Sequence, residues 1–165
     1  MSGREFPLHH ESSAALNAPI EAVFAHLDDF HQLSAHMEQR SGMMMGSRMT
    51  IETDTAGGRA IGSVVRMSGR MLGMRLALKE VVIERLPPSR KAWRTVDTDL
   101  LIIGAYTLGF ELEPRGKTTA LRVFIDYELP ASRPSRWLGR LFGKRYARWC
   151  TERMVADAAR RFAPA

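Results

Sequence analysis

The feature that most constrains this chain is one long amphipathic segment at its C-terminal end, which follows a long stretch with strand periodicity. After Pro130 and Pro134, apolar residues recur at helical spacing and predict a final helix of about six or more turns. From about Arg48 to Leu129 the period is two, which is typical of strands with one face in a core. A single helix must then cover a wide sheet. We therefore expect the sheet to curl around the helix and to leave a gap between them, where a ligand could sit.

The remaining elements follow from local signals. Residues 8–17 suit a first strand, Pro19 marks the start of a short helix that ends near Asp28, and a second short helix is predicted over residues 30–37. Turn-forming residues separate the later strands, at 57–58, 86–89 and 113–117. The predicted class is α+β: a curved antiparallel sheet of about six to seven strands around a long C-terminal helix, with two short helices after the first strand. Residues 1–165 are expected to form a single ligand-binding domain.

Positive charge is concentrated in the predicted final helix. The net charge is +6, yet residues 131–165 alone carry nine Lys or Arg against two acidic residues, and the other 130 residues carry 15 basic and 16 acidic side chains. A basic helix interleaved with aromatics fits an anionic membrane surface or an acidic protein, or else a solvated outer face. Specific recognition of nucleic acid is not expected, because no recognised module accompanies the charge.

Cysteine usage and hydropathy indicate the compartment. The lone Cys150 cannot form an intramolecular disulfide, and residues 1–12 contain no apolar run of the signal-peptide kind. No stretch approaches the roughly 20 apolar residues that span a bilayer. We expect a cytoplasmic protein that is soluble or at most peripheral, with Cys150 as a buried inert thiol on the apolar side of the last helix.

Metal and cofactor sites are not indicated. His26, His31 and His36 are spaced by five, which does not put them on one helical face, and His9 and His10 point to opposite sides of a strand. The sequence contains no Gly-rich phosphate loop, nucleophile elbow or zinc cysteine pattern. No cofactor and no metal are therefore predicted.

The order of short motifs resembles that of a known superfamily. The segment 18–24 (APIEAVF) after the first strand, the GSVV of 62–65, the LPPSR of 86–90 and the FELEP of 110–114 occur in sequence, and GKTT at 116–119 and the terminal helix complete the series. This order is similar to that of the START-like helix-grip superfamily (SRPBCC), in particular its polyketide cyclase/dehydrase and lipid-transport branch. The resemblance implies a helix-grip fold and a cavity for apolar or aromatic ligands, but it does not imply a particular reaction.

Strand alternation and helical spacing nominate side chains for the gap. The predicted lining residues are aromatic or aliphatic: Trp93, Tyr106, Leu108, Phe110, Val123, Ile125, Tyr127, Leu138, Phe142 and Trp149. The candidate polar anchors are Glu80, Asp97 and Arg66. Around Glu80 the apolar phase of the strand shifts, so either a bulge lies there or Glu80 faces inward. The alternative is that these charged groups are solvated on the outer face, with Tyr106 and Tyr127 as ordinary core aromatics.

Three functions remain open. The preferred one is a non-catalytic carrier or sensor of a hydrophobic small molecule, such as a lipid, a quinone or a polyketide-like aromatic. The second is an enzyme of the cyclase/dehydratase type, which would need titratable groups that converge in the gap. The third is a module that docks through its basic helix. The methionine-rich segment 38–46 is interpreted as a mobile lip at the mouth of the gap.

Overall fold

The computed structural model describes residues 6–33, 49–71 and 74–164. The elements in chain order are β1 (Leu8–Leu16), α1 (Ile20–Leu27), α2 (Phe30–Leu33), β2 (Met49–Thr53), β3 (Val64–Met71), β4 (Met74–Leu86), β5 (Arg90–Thr98), β6 (Tyr106–Arg115), β7 (Thr118–Tyr127) and α3 (Arg133–Arg161). The end of the second predicted helix and the proposed lip at 38–46 lie outside the described residues.

The strands form one antiparallel sheet of seven strands in the order β1-β7-β6-β5-β4-β3-β2. Each strand from β2 to β6 pairs with the next strand in the chain, and β1 pairs with β7. The pairing of β4 with β5 shifts register twice, and the extra residues are Ile83 on β4 and Val96 on β5. Such bulges bend and twist a sheet, which helps it to curve around a helix. The predicted α+β helix-grip architecture is confirmed.

Alternation along β7 separates a concave face from a convex one. Leu121, Val123 and Ile125 are almost fully buried on the concave side. Phe124, which interrupts the polar face in the sequence, is only 6% exposed on the convex side. The guanidinium groups of Arg90 and Arg122 lie 5.3 and 5.7 Å from its ring centre, so two cations cover the ring.

Helix α3 approaches the chain closely because its buried side carries very small residues. Gly139, Gly143 and Ala147 follow one another at intervals of four and are all buried. A Cβ atom on Gly139 would lie 2.8 Å from the carbonyl oxygen of Ile102. One turn beyond Ala147, the Thr151 hydroxyl lies 3.1 Å from His10 Nδ1 on β1. The helix is thereby fixed against the β1 end of the sheet.

A buried ionic network attaches α1 to the sheet. Lys91 on β5 is fully buried, and its Nζ donates to Oδ1 and to the backbone oxygen of Asp28, at 2.7 and 2.8 Å. Arg85 donates to both carboxylate oxygens of Asp28. Burial raises the pKa of Asp28, but the bonds from Arg85 and Lys91 outweigh that effect and hold the pKa below its ordinary value. The charges are therefore compensated where they are buried.

Candidate functional site

The candidate site lies between the concave face of the sheet and helix α3. Buried apolar residues there form two clusters: a large one that includes α1, Trp93, Phe110 and the end of α3, and a small one made of Ile103, Tyr106, Ile125, Tyr127 and Ala147. Leu100, Leu108 and Tyr146 pack against both clusters and are only half-buried. Incompletely covered apolar side chains between two packed clusters indicate where a ligand would find apolar surface.

Glu80 is the ionisable side chain at the centre of this region. It alternates with Leu78 and Val82 on β4, so strand geometry turns it toward the concave face, where it is 1% exposed. The hydroxyl of Tyr106, on β6, donates to its Oε1. The other oxygen, Oε2, is buried and accepts no hydrogen bond of normal geometry from the residues that the structure describes. One half of the carboxyl is therefore satisfied and the other is not.

The surroundings of Glu80 favour its neutral form. Burial raises the pKa of Glu80 to about 7, against the opposing influence of the Tyr106 hydroxyl and the Trp93 indole. On α3, Tyr146 and Cys150 lie close enough for the charge of Glu80 to raise their pKa values. Glu80 therefore titrates near neutrality, in the range useful to a ligand anchor or to a general acid or base.

The hydroxyl and thiol groups beside Glu80 stay protonated at neutral pH. Burial raises the pKa of Tyr106 and of Tyr146 well above their ordinary values, and the negative charge of Glu80 adds to both shifts. Burial raises the pKa of Cys150 to about 12. Since the thiolate is the reactive form, Cys150 is unsuited to act as a nucleophile, as expected for a buried thiol.

The predicted lining residues reach the concave side in most cases. Trp93, Phe110 and Val123 lie in the large cluster, and Tyr106, Ile125 and Tyr127 in the small one. Leu108 contacts both clusters, Trp149 is partly buried against the large one, and Leu138 is half-buried on α3. Their role as ligand contacts stays a prediction.

Phe142 does not share this position and is 47% exposed. Helical spacing places Phe142 on the apolar side of α3 and so predicted that it is buried. In the structure, the side of α3 that faces the protein carries Gly139 and Gly143, which approach the backbone at Ile102. The inward side of the helix is thus occupied by backbone contact, and Phe142 faces solvent.

Two of the three candidate polar anchors also face outward. Trp93 and Thr95 face the concave side, and simple alternation would put Asp97 there too. Val96 is an extra residue in β5, so the alternation shifts by one and Asp97 is exposed on the other face. Arg66 is exposed because its neighbours Val65 and Met67 occupy the concave side. Glu80 alone of the three is buried.

Sequence reasoning missed several residues of this region. Leu100 belongs to the loop between β5 and β6, which carries no periodic signal. Tyr146 lies on α3, where helical spacing after Pro134 places it on the apolar side of the helix. Lys91 alternates with Trp93 and Thr95 along β5 and so shares their face of the strand. This alternation was the signal that could have predicted its burial.

An open pocket lies on the opposite side of the sheet. It has a volume of about 680 Å³ on the convex face and is bordered by small residues of β1 and β7 and by Arg90, Glu111 and Arg122. The charged groups there pair with one another: Arg90 contacts Glu111, and Arg122 contacts Glu11 and Glu111. We favour the concave region, because Glu80 and the half-buried apolar residues are found there.

Within the described ranges, no group of three or more His, Cys, Asp and Glu side chains is placed to hold a metal ion. The same ranges contain no helix with the length and hydropathy needed to span a bilayer.

Comparison with protein families agrees with this geometry. The family model described as polyketide cyclase/dehydrase and lipid transport matches residues 7–163. The chain belongs to this family. The resemblance to the START-like helix-grip superfamily is thus confirmed.

Solved structures show the same fold at low sequence identity. CV1439 from Chromobacterium violaceum has 17% identity and a TM-score of 0.65, over 96% of this chain and 100% of that one. TTHA0849 from Thermus thermophilus has 16% identity and a TM-score of 0.66, over 94% and 97%. Major latex-like protein 151 from Panax ginseng has 15% identity and a TM-score of 0.58, over 95% and 98%. Comparison with curated proteins gave no match.

Proposed function

We propose that this protein binds a hydrophobic small molecule, such as a lipid, a quinone or a polyketide-like aromatic, between the concave face and α3, without catalysis. The observation that carries the proposal is the set of half-buried apolar side chains, Leu100, Leu108 and Tyr146, between the two packed clusters. Covering such surface with a ligand is worth about 25 cal/mol per Å². Membership of a family whose description includes lipid transport supports the same class of ligand.

Glu80 is the proposed polar anchor for this ligand. Its Oε2 accepts no hydrogen bond of normal geometry from the described residues, and a buried polar atom in this state gains free energy when a well-placed partner arrives. Because Oε2 is also covered, ligand entry has to move side chains around it. A ligand group that accepts a hydrogen bond from the protonated carboxyl would satisfy this atom.

An enzyme of the cyclase/dehydratase type is the second candidate. The observation in its favour is that Glu80 and Tyr106 are hydrogen-bonded to each other and that the pKa of Glu80 is about 7. A carboxylate could remove a proton and a phenol could donate one. Binding without catalysis is preferred because the half-buried apolar side chains of Leu100, Leu108 and Tyr146 offer contact surface to a ligand and require no reaction.

Two further properties are proposed alongside. A reducing, cytoplasmic setting is consistent with the lone cysteine, which is buried. The basic side chains of α3 are exposed to solvent and do not face the concave region. Docking of this helix on an anionic partner would therefore be independent of ligand binding.

The experiment is identification of the ligand, followed by a variant that fills the gap. Native mass spectrometry of the purified protein should show a bound mass that extraction with organic solvent removes. Leu108→Trp adds a large ring on the concave face, and we expect it to abolish both the bound mass and the binding of the neutral fluorophore N-phenyl-1-naphthylamine.

Leu86→Trp is the matched control, since Leu86 is 53% exposed at the end of β4. It should bind the fluorophore as the unaltered protein does. Equal binding by the Leu108→Trp variant would refute the proposed location. Conversion of the extracted ligand by the protein, with loss of that conversion in Glu80→Gln, would favour the enzyme.

A further inference from the structure

Large apolar side chains are exposed on the first half of α3. Trp137 is 62% exposed, Leu141 54% and Phe142 47%, all within two turns of the helix. Exposed apolar side chains that stand alone need no explanation, but a group rimmed by charge marks an interaction surface.

The same part of the helix carries strong positive charge. Between residues 133 and 148 the sequence has six basic residues and no acidic one. Five of these are exposed and form no ion pair within the described part of the chain: Arg133, Arg136, Arg140, Lys144 and Arg145. Arg148 pairs with Glu152 at 2.7 Å. We call the exposed side chains of residues 133–145 the basic face.

The opposite side of this half-helix is already occupied. Gly139 and Gly143 contact the chain around Ile102, so the helix cannot rotate to bury its aromatics against the sheet. An open groove of about 540 Å³ runs beside the basic face and is bordered by Leu141, Arg145 and Trp149, among others. The exposed arrangement is therefore fixed by packing elsewhere.

From these observations we infer that the basic face docks on an anionic membrane surface. Arginine and lysine are attracted to anionic headgroups, while Trp, Leu and Phe enter the boundary between headgroups and acyl chains. The combination of unpaired cations with exposed large apolar residues fits this boundary better than it fits an acidic protein or a nucleic acid, for which the charges alone would suffice.

The test is co-sedimentation of the full chain with vesicles of phosphatidylcholine, with and without phosphatidylserine. We expect at least about tenfold stronger binding to the anionic vesicles at low salt, and weaker binding as salt rises. Arg140→Glu combined with Arg145→Glu should reduce binding by at least about tenfold, since each cation near the surface contributes roughly fivefold. Arg66→Glu combined with Arg75→Glu makes the same change in charge on exposed strand positions and should bind nearly as well as the unaltered protein.

Substitution of Trp137 distinguishes a membrane partner from other anionic partners, because only a membrane offers an apolar layer to this side chain. Trp137→Ser should weaken vesicle binding. In a Trp149→Phe background, Trp137→Phe should abolish the blue shift of fluorescence on binding, because the one remaining tryptophan, Trp93, is already buried. Equal recovery with neutral and anionic vesicles at low salt would overturn the proposal. So would binding to DNA or polyglutamate that matches vesicle binding and does not depend on Trp137.

Discussion

Glu80 combines full burial with incomplete hydrogen bonding. Tyr106 satisfies one carboxyl oxygen, and the other accepts no hydrogen bond of normal geometry from a described residue. The pKa of about 7 follows from burial, since no cation lies among the groups that influence it. A carboxyl of this kind makes the stability of the protein depend on pH.

Glu80→Gln should remove a pH dependence of folding. The ordinary pKa of 4.5 applies to the unfolded chain, which loses the proton first, so the folded state binds one more proton between pH 4.5 and about 7. The contribution of Glu80 to stability is therefore greatest below pH 4.5 and is lost as the pH rises through 7. The loss is about 3 kcal/mol in total, at 1.36 kcal/mol per unit. Urea unfolding of both proteins at pH 5 and pH 8 measures it.

Asp97→Asn is the control for this measurement, because it removes an exposed carboxylate from the adjacent strand. Its unfolding free energy should parallel that of the unaltered protein. If Glu80→Gln shows the same decline between pH 5 and pH 8 as the unaltered protein, the assignment of a neutral carboxyl is wrong.

The two halves of helix α3 pack differently. The half from Ala147 onward buries Met154, Val155 and Ala158 in the large cluster. The first half buries glycines and exposes aromatics. Close backbone approach at Gly139 is what holds the first half in place, and it can be tested separately from binding.

Gly139→Ala should destabilise the protein, whereas Gly143→Ala should be close to neutral. A Cβ at position 139 would meet Ile102 oxygen and Pro130 Cδ at 2.8 Å, while the nearest atom at position 143 is 3.3 Å away. Overpacking costs about 1–3 kcal/mol, and alanine returns up to about 1 kcal/mol in helix propensity. Thermal unfolding should show a lower Tm for Gly139→Ala by a few degrees. An equal effect at both positions would contradict the close approach at Gly139.

At the scale of the whole molecule, the concave face of the sheet and α3 flank the half-buried apolar side chains that pack against both clusters. Structures with about 16% identity share this architecture, so the frame does not depend on particular side chains. We propose that the residues between the two clusters, together with Glu80, select the ligand.

A ligand in this region should stabilise the folded state. A ligand at a concentration one hundred times its Kd adds about 2.7 kcal/mol, which corresponds to a rise in Tm of roughly 5–10 °C for a chain of this size. N-phenyl-1-naphthylamine or the extracted molecule should raise the Tm of the unaltered protein and leave that of Leu108→Trp unchanged. A rise of the same size in both proteins would place binding elsewhere.

The sequence by itself determined the architecture. Period two over the strands, Pro19 at the entry to α1, turn residues between strands and helical spacing after Pro134 are local signals, and the structure retains each of them. Since one helix has to cover one wide sheet, curvature followed from these elements without knowledge of any contact. The separation of charge onto the last helix was also visible as composition.

Tertiary structure alone decided which side chains meet. Val96 as an extra residue turned Asp97 outward, and Gly139 in contact with Ile102 turned Phe142 outward. The joining of Glu80 to Tyr106 depends on two strands that are not adjacent in the sheet, and Leu100 reaches the site from a loop. Periodicity reports the phase of a side chain within one element, whereas bulges and contacts between elements arise only when the chain packs. The long basic helix was therefore predictable as an element, but its division into a packed half and an exposed half was not.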